Sequence, residues 1–153
     1  MSYYAKVLQA DERVTFLGHL HWILYGNAII FGIFTLVAMV FAMTRSEDQR
    51  SLALIGTVIL AVITVLFYTR AWFRQWITEI VVTDKRIIYK RGFISRTTQE
   101  MNITKVETVD VVQGIWGRIL GYGTVGVIGT GASLERIPYV ASPLKMRNAI
   151  IVG

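Results

Sequence analysis

Six residues, Gly121-Tyr122-Gly123-Thr124-Val125-Gly126, spell GxGxxG, the spacing that lets a backbone approach a pyrophosphate. That chemistry needs a strand before the motif, a helix opening inside it and a βαβ unit around it. Here the glycines run into Val125, Val127 and Ile128, which read as strand, and no Walker lysine or following Ser/Thr accompanies them. The motif is expected to allow a tight turn and a crossing strand, not to hold a nucleotide. His19 and His21 form an HxH pair, but alternate residues share a side only on a strand, and no third ligand lies close in sequence. Interfacial anchoring or a polar cap is the expected role. Ser2, Ser46, Ser51, Ser95, Ser133 and Ser142 lack a nucleophile-elbow context. Glu79, Asp84, Glu100, Glu107, Asp110 and Glu135 are scattered, and no spacing marks an acid pair. Cysteine is absent, which excludes a disulfide framework, a thiolate nucleophile and a Cys-based metal site. The expectation is a chain that is not an enzyme, with no catalytic or metal-binding residues and no cofactor.

The basic residues Lys85, Arg86, Lys90, Arg91 and Arg96 carry more information. They bracket an Asp84–Lys85 turn and a Lys90–Gly92 hairpin, and strand alternation puts Arg86, Ile88 and Lys90 on one face, so the cations do not all converge. Hairpin tips close to a membrane exit can lie on phosphate headgroups, which makes Lys85, Arg86, Lys90, Arg91 and Arg118 the candidate lipid contacts. Nucleic acid is not an expected partner, because the aromatics are not interleaved with these charges as stacking platforms. Residues 74–153 hold eleven Lys/Arg against six Asp/Glu, whereas residues 1–73 hold five against four. Anionic lipid attracts such juxtamembrane cations by ~1 kcal/mol each, and the same bias also follows from the positive-inside rule alone.

Two apolar runs must position these groups. Trp22–Met43 contains no ionised residue, and Leu52–Phe67 stays uncharged until Arg70, with residues up to Phe73 completing an exit through the interface. At ~1.5 Å per residue, 22 residues reach ~33 Å, against a hydrocarbon core of ~30 Å. Neither run has the polar stripe of a soluble core helix. The expected organisation is an interfacial segment over 1–21, a transmembrane helical hairpin over 22–73 (spans about 22–43 and 52–73), and a β-domain over 74–153. Asp11 and Glu12 precede the first run and no cleavage site follows it, so a cleaved signal is not expected. More Lys/Arg flank the terminal sides of the spans than the loop Thr44–Ser51, which places both termini in the cytoplasm of a cell with an inner membrane. Gly26, Asn27, Gly32 and Gly56 are the candidate packing residues between the two spans, since small and polar side chains let helices approach. Asn27 in a transport pathway is the sharper alternative, which would make the chain a transporter or channel subunit.

Past Trp76 the pattern becomes that of strands. Ile77–Thr83, Arg86–Arg91 and Phe93–Gln99 read as three strands, with Gly92 where a hairpin wants positive φ. Ile103, Val106, Val109 and Val111 form a fourth stretch that slips by one after Val106, as a bulge does. Gln113–Gly123 reads as a loop with a short apolar insert, followed by strands at Thr124–Thr130 and Leu134–Val140. Pro143 opens a final helix with Ser142 before it. Six or so antiparallel strands and one helix make a small sandwich or open barrel capped at its end.

Four stretches carry a family likeness: Glu79–Arg86 (EIVVTDKR), Ile87–Arg96 (IIYKRGFISR), Asn102–Val109 and Gly117–Val125. Their VT-x-x-R, hairpin glycine, hydrophobic-x-x-V-x-x-V and G-R-hydrophobic-hydrophobic-G-x-G-T-V patterns resemble the membrane-attached type of bacterial pleckstrin-homology (PH) domain. The resemblance is dense over Trp76–Ile150 and looser over Asp11–Trp22 and the paired spans. It implies two roughly orthogonal antiparallel sheets closed by a carboxy-terminal helix. Pleckstrin-like folds bind lipids, peptides or proteins, so the fold alone does not settle activity. The function expected is a membrane-anchored PH-like scaffold that self-associates as a homo-oligomer and binds protein partners, among them other membrane proteins. An anionic-lipid-sensing module is the alternative.

Overall fold

The computed structural model describes residues 11–93, 97–134 and 136–152. The chain divides into two units, one of Trp22–Arg74 and one of the described parts of Met1–His21 and Gln75–Gly153.

The first unit is a pair of helices joined by a tight turn. A 3-10 turn at Trp22–Tyr25 leads into α1 (Gly26–Met43), and α2 spans Glu47–Ile77. Trp22–Met43, the 3-10 turn and α1 together, and α2 are each long and apolar enough to cross a bilayer. Arg45 in the turn lies 4.0 Å over the Phe41 ring. With 31 residues, α2 is about 46 Å long at ~1.5 Å per residue, longer than its apolar run. It starts on Glu47 and Asp48, whose charges suit a helix N-terminus, and it continues through Phe73–Trp76, beyond the exit expected at Phe73. No Gly or Pro interrupts Arg70–Ile77, so nothing breaks the helix where apolarity ends. Phe31 and Phe67 stack at 5.2 Å between the helices. Thr35 and Thr64 hydroxyls lie 3.1 Å apart and each lies 2.8 Å from the carbonyl four residues earlier, so the single proton of each always has an acceptor. The outer faces stay exposed and apolar, as at Leu36, Val40, Val58 and Leu66.

The second unit is built from two antiparallel sheets. The first has the order β1-β2-β3-β4, from β1 (Val14–Gly18), β2 (Glu79–Thr83), β3 (Arg86–Arg91) and β4 (Thr97–Asn102). In the second, β6 (Tyr122–Gly129) pairs with β5 (Val106–Val112) on one side and with β7 (Ala132–Ser133) and β8 (Ile137–Ala141) on the other. β-Branched residues dominate the central strands: Ile80, Val82, Ile87, Val125, Val127 and Ile137 are all buried, and Met146 and Ile150 of the last helix α4 (Pro143–Val152) join them. Burial of one such side chain contributes ~1.5–3 kcal/mol. Gly92 takes φ 99 after β3, as its position requires, and the register slips between Val106 and Thr108 where the sequence pattern slips.

Around Arg13–Leu17 the sequence leaves a short strand or an amphipathic turn open, and residues 14–18 take the strand, completing the first sheet as β1 against β2. Several details depart from the sequence reading. The third strand lies at Thr97–Asn102, later than Phe93–Gln99, and residues 94–96 fall outside the described part. The expected loop Gln113–Gly123 contains a helix, α3 (Ile115–Leu120). Ile115, Trp116 and Ile119 have helical spacing, and Gly121 stops the helix in the left-handed conformation with φ 79, its N–H bonded to the Gly117 carbonyl.

Candidate functional site

Strand β3 carries cations at both of its ends, and the two ends have different surroundings. Lys85 and Arg86 flank the β2–β3 turn, while Lys90 and Arg91 lie at the other end of a six-residue strand, about 17 Å away at ~3.3 Å per residue.

At the turn end, Arg86 is held in a polar lock. Its Nε donates to Glu12 Oε1 and its Nη2 to Glu12 Oε2, both at 2.9 Å, and its Nη1 donates to Glu100 Oε2 at 2.9 Å. The Glu12 side chain has 0% exposure and also accepts the Thr83 hydroxyl at 2.7 Å. Thr83 Oγ1 in turn receives the Arg86 N–H at 3.0 Å. The Arg86 pKa is raised above the ordinary arginine value, chiefly by the hydrogen bond to Glu12, against the opposing effect of burial. Arg86 is therefore a structural cation. Lys85 beside it is exposed, and Arg13 donates its N–H to Asp84 Oδ1 at 3.0 Å across the same turn. A cleft of about 230 Å³ opens at this end, lined by Glu100, Met101, Asn102, Lys105, Gly129, Thr130 and Gly131.

The opposite end is where the chain leaves the sheets for the helices. Gly18 pairs with Ile80, and Glu79 pairs with Lys90, so the end of β1, the start of β2 and the end of β3 share one edge of the sheet. Beyond β1, residues 19–21 run along β8: Leu20 bridges Val140, Ala141 donates its N–H to the His19 carbonyl, and His21 donates its N–H to the Tyr139 carbonyl. The His21 ring lies 5.2 Å from Tyr122, which lies 6.3 Å from Tyr139. His21 has its pKa lowered from 6.5, first by burial, with a hydrogen bond to the Leu120 backbone opposing and nearby His19 adding to the drop. Trp76 and Phe93, both exposed, face each other with ring centroids 5.8 Å apart. Among the described residues no three His, Cys, Asp or Glu side chains gather to hold a metal ion.

Next to this end sits α3. Gly117 is buried, and a Cβ there would lie 2.6 Å from the Tyr122 carbonyl oxygen, so only glycine lets the helix rest this close to β6. Gln113 Nε2 donates to the Gly117 and Tyr122 carbonyls at 3.2 and 2.9 Å, fixing the helix from its other side. The outward face presents Ile115, Trp116 and Ile119, with 79%, 69% and 68% exposure. Arg118, also exposed, lies in the last turn.

Of the expected headgroup contacts, Lys90 and Arg91 share the chain-attachment end, Arg118 is on α3 beside it, Lys85 is at the far end, and Arg86 is bound within the lock. Arg96 lies outside the described residues. In the helical pair, Gly32 faces Thr64, with a virtual Cβ 3.7 Å from Thr64 Cγ2, whereas Gly26 approaches only Ile23 of its own segment. Asn27 and Gly56 are on exposed sides of their helices. The sequence reading missed Glu12 and the α3 face. Nothing marks Glu12 at a distance of 74 residues from Arg86, but the spacing Ile115, Trp116, Ile119 before Gly121 is a short helical signal.

Two sheets of antiparallel strands with a carboxy-terminal helix fit a PH-like fold. The family model described as the bacterial PH domain matches residues 28–149, from within α1 to within α4. This chain belongs to that family. No curated protein and no solved structure matches the chain.

Proposed function

We propose that the protein is a non-enzymatic scaffold anchored in the cytoplasmic membrane, with both termini in the cytoplasm and a PH-type β-unit working at the membrane face. α1 and α2 cross the bilayer in this reading. Their outward surfaces are apolar and exposed along most of their length, and a bilayer is the medium in which such surfaces are stable. The chain binds protein partners and copies of itself. The observation that carries this reading is the strand register, which brings both chain attachments to one end of the first sheet. A β-unit tethered twice at one end is held at the surface, and β4 and β5, each an outermost strand of its sheet, offer edges for pairing. Confinement to a membrane raises the effective concentration of such edges.

Native mass spectrometry of the full-length protein, extracted gently from its own membrane, tests the assembly. A discrete homo-oligomer is expected, and a monomer bound to a different protein would replace self-association with an accessory role. A reporter fused after Gly153 should read as cytoplasmic. The alternative of anionic-lipid sensing draws support from Lys90 and Arg91, which lie at the attachment end, and none from Lys85 or Arg86.

A further inference from the structure

The outward face of α3 has no partner among the described residues of the β-unit, yet it is built with care. Gly117 and Gln113 fix the helix against β6, and that fixing turns Ile115, Trp116 and Ile119 outward together. Exposed apolar side chains clustered on a rigid element mark a surface that is covered in use. Its location names the cover. α3 runs into Tyr122, whose ring meets His21, and His21 is one peptide bond from Trp22, the first residue of the first apolar segment. Trp116 and Arg118 are also the residue types that settle at headgroup level, the indole at the interface and the guanidinium beside phosphate.

We propose that the α3 face, Ile115, Trp116 and Ile119, inserts into the headgroup–acyl boundary of the same bilayer that the helical pair crosses. It acts as a third, non-covalent foot that fixes the tilt of the β-unit on the membrane. Shallow burial of this kind is how short amphipathic elements bind a bilayer. The proposal rests on the reading of α1 and α2 as membrane-spanning.

The natural absence of cysteine makes the test direct. Single spin labels are placed by Ile115→Cys, Thr130→Cys and Val37→Cys in the full-length chain, reconstituted in phosphatidylethanolamine–phosphatidylglycerol vesicles. Collision with oxygen and with a water-soluble nickel chelate is then compared. Labels at positions 37 and 115 should favour oxygen, with nickel access at 115 several-fold below that at 130. Adding Trp116→Glu should raise nickel access at 115 towards the value at 130 and leave 37 unchanged. Nickel access at 37 would overturn the membrane-spanning reading and this proposal with it. Shielding at 37 with free nickel access at 115 would overturn the foot alone. Shielding at 115 that disappears on dilution with lipid would assign the face to a second copy of the chain, and would also overturn it.

Discussion

The two ends of the β-unit use the same residue types in opposite ways. At the turn end, Arg86 is bonded to Glu12 and Glu100, and a fully enclosed carboxylate holds β1, β2 and β3 together. At the attachment end, where Lys90 and Arg91 close β3, Trp76 and Phe93 keep large apolar areas exposed. The difference teaches that a run of cations along a strand is not one surface. Each end has to be read against the groups that the fold brings to it, and here one end encloses a carboxylate against its cation while the other exposes aromatic rings.

The largest effect that distinguishes the ends should come from Arg86→Met. Removing one partner of a buried pair leaves Glu12 uncompensated and should cost about 3–5 kcal/mol, read by chemical unfolding in mild detergent. The double replacement of Glu12 and Arg86 by Met should recover part of that loss, whereas additive losses would show that the pair is not a lock. Next comes Gly117→Ala, which forces α3 off β6 and should cost about 1–3 kcal/mol, while Ile119→Ser on the outer face should leave unfolding nearly unchanged.

A third contrast concerns charge. Reversing Lys90 and Arg91 together should weaken approach of the β-unit to anionic vesicles by ~1 kcal/mol per residue, seen as reduced, salt-dependent energy transfer to labelled headgroups. Lys85→Glu should not change that transfer, and equal effects at both ends would erase the distinction. The smallest expected effect belongs to His21. Because its folded pKa lies below 6.5, the unfolded chain binds more protons near that pH, so stability rises with pH there and is lost as pH falls through about 6.5. His21→Gln should flatten this part of a melting-temperature profile, and an unchanged slope would place its origin elsewhere.

The fold was legible where local chemistry is decisive. Val81, Val82, Ile87 and Ile88 announce strands, Gly92 announces its hairpin, and the slip after Val106 announces a register shift. Local chemistry says little about how far an element continues once its apolar face ends, so α2 ran past both limits of its apolar stretch. α3 is shorter than two turns, too short for periodicity to separate it from a loop. The site was the least legible part. Thr83 and Arg86 sit in the VT-x-x-R pattern, but the acid that gives the pattern its meaning is Glu12, and only the folded chain brings it there. Gly32 lies against Thr64 while Asn27 and Gly56 are exposed in the structure, because composition marks which residues can pack and not the angle at which they emerge.

The separation of Glu12 from Arg86 also sets an order of events. β1 leaves the ribosome before its partner β2 exists, and both apolar helices are made in between. The hairpin of β2 and β3 can form from neighbouring residues, whereas β1 must wait for a loop of dozens of residues to close. The first strand synthesised is thus among the last to be seated, and Glu12 reaches Arg86 only after both helices have been made.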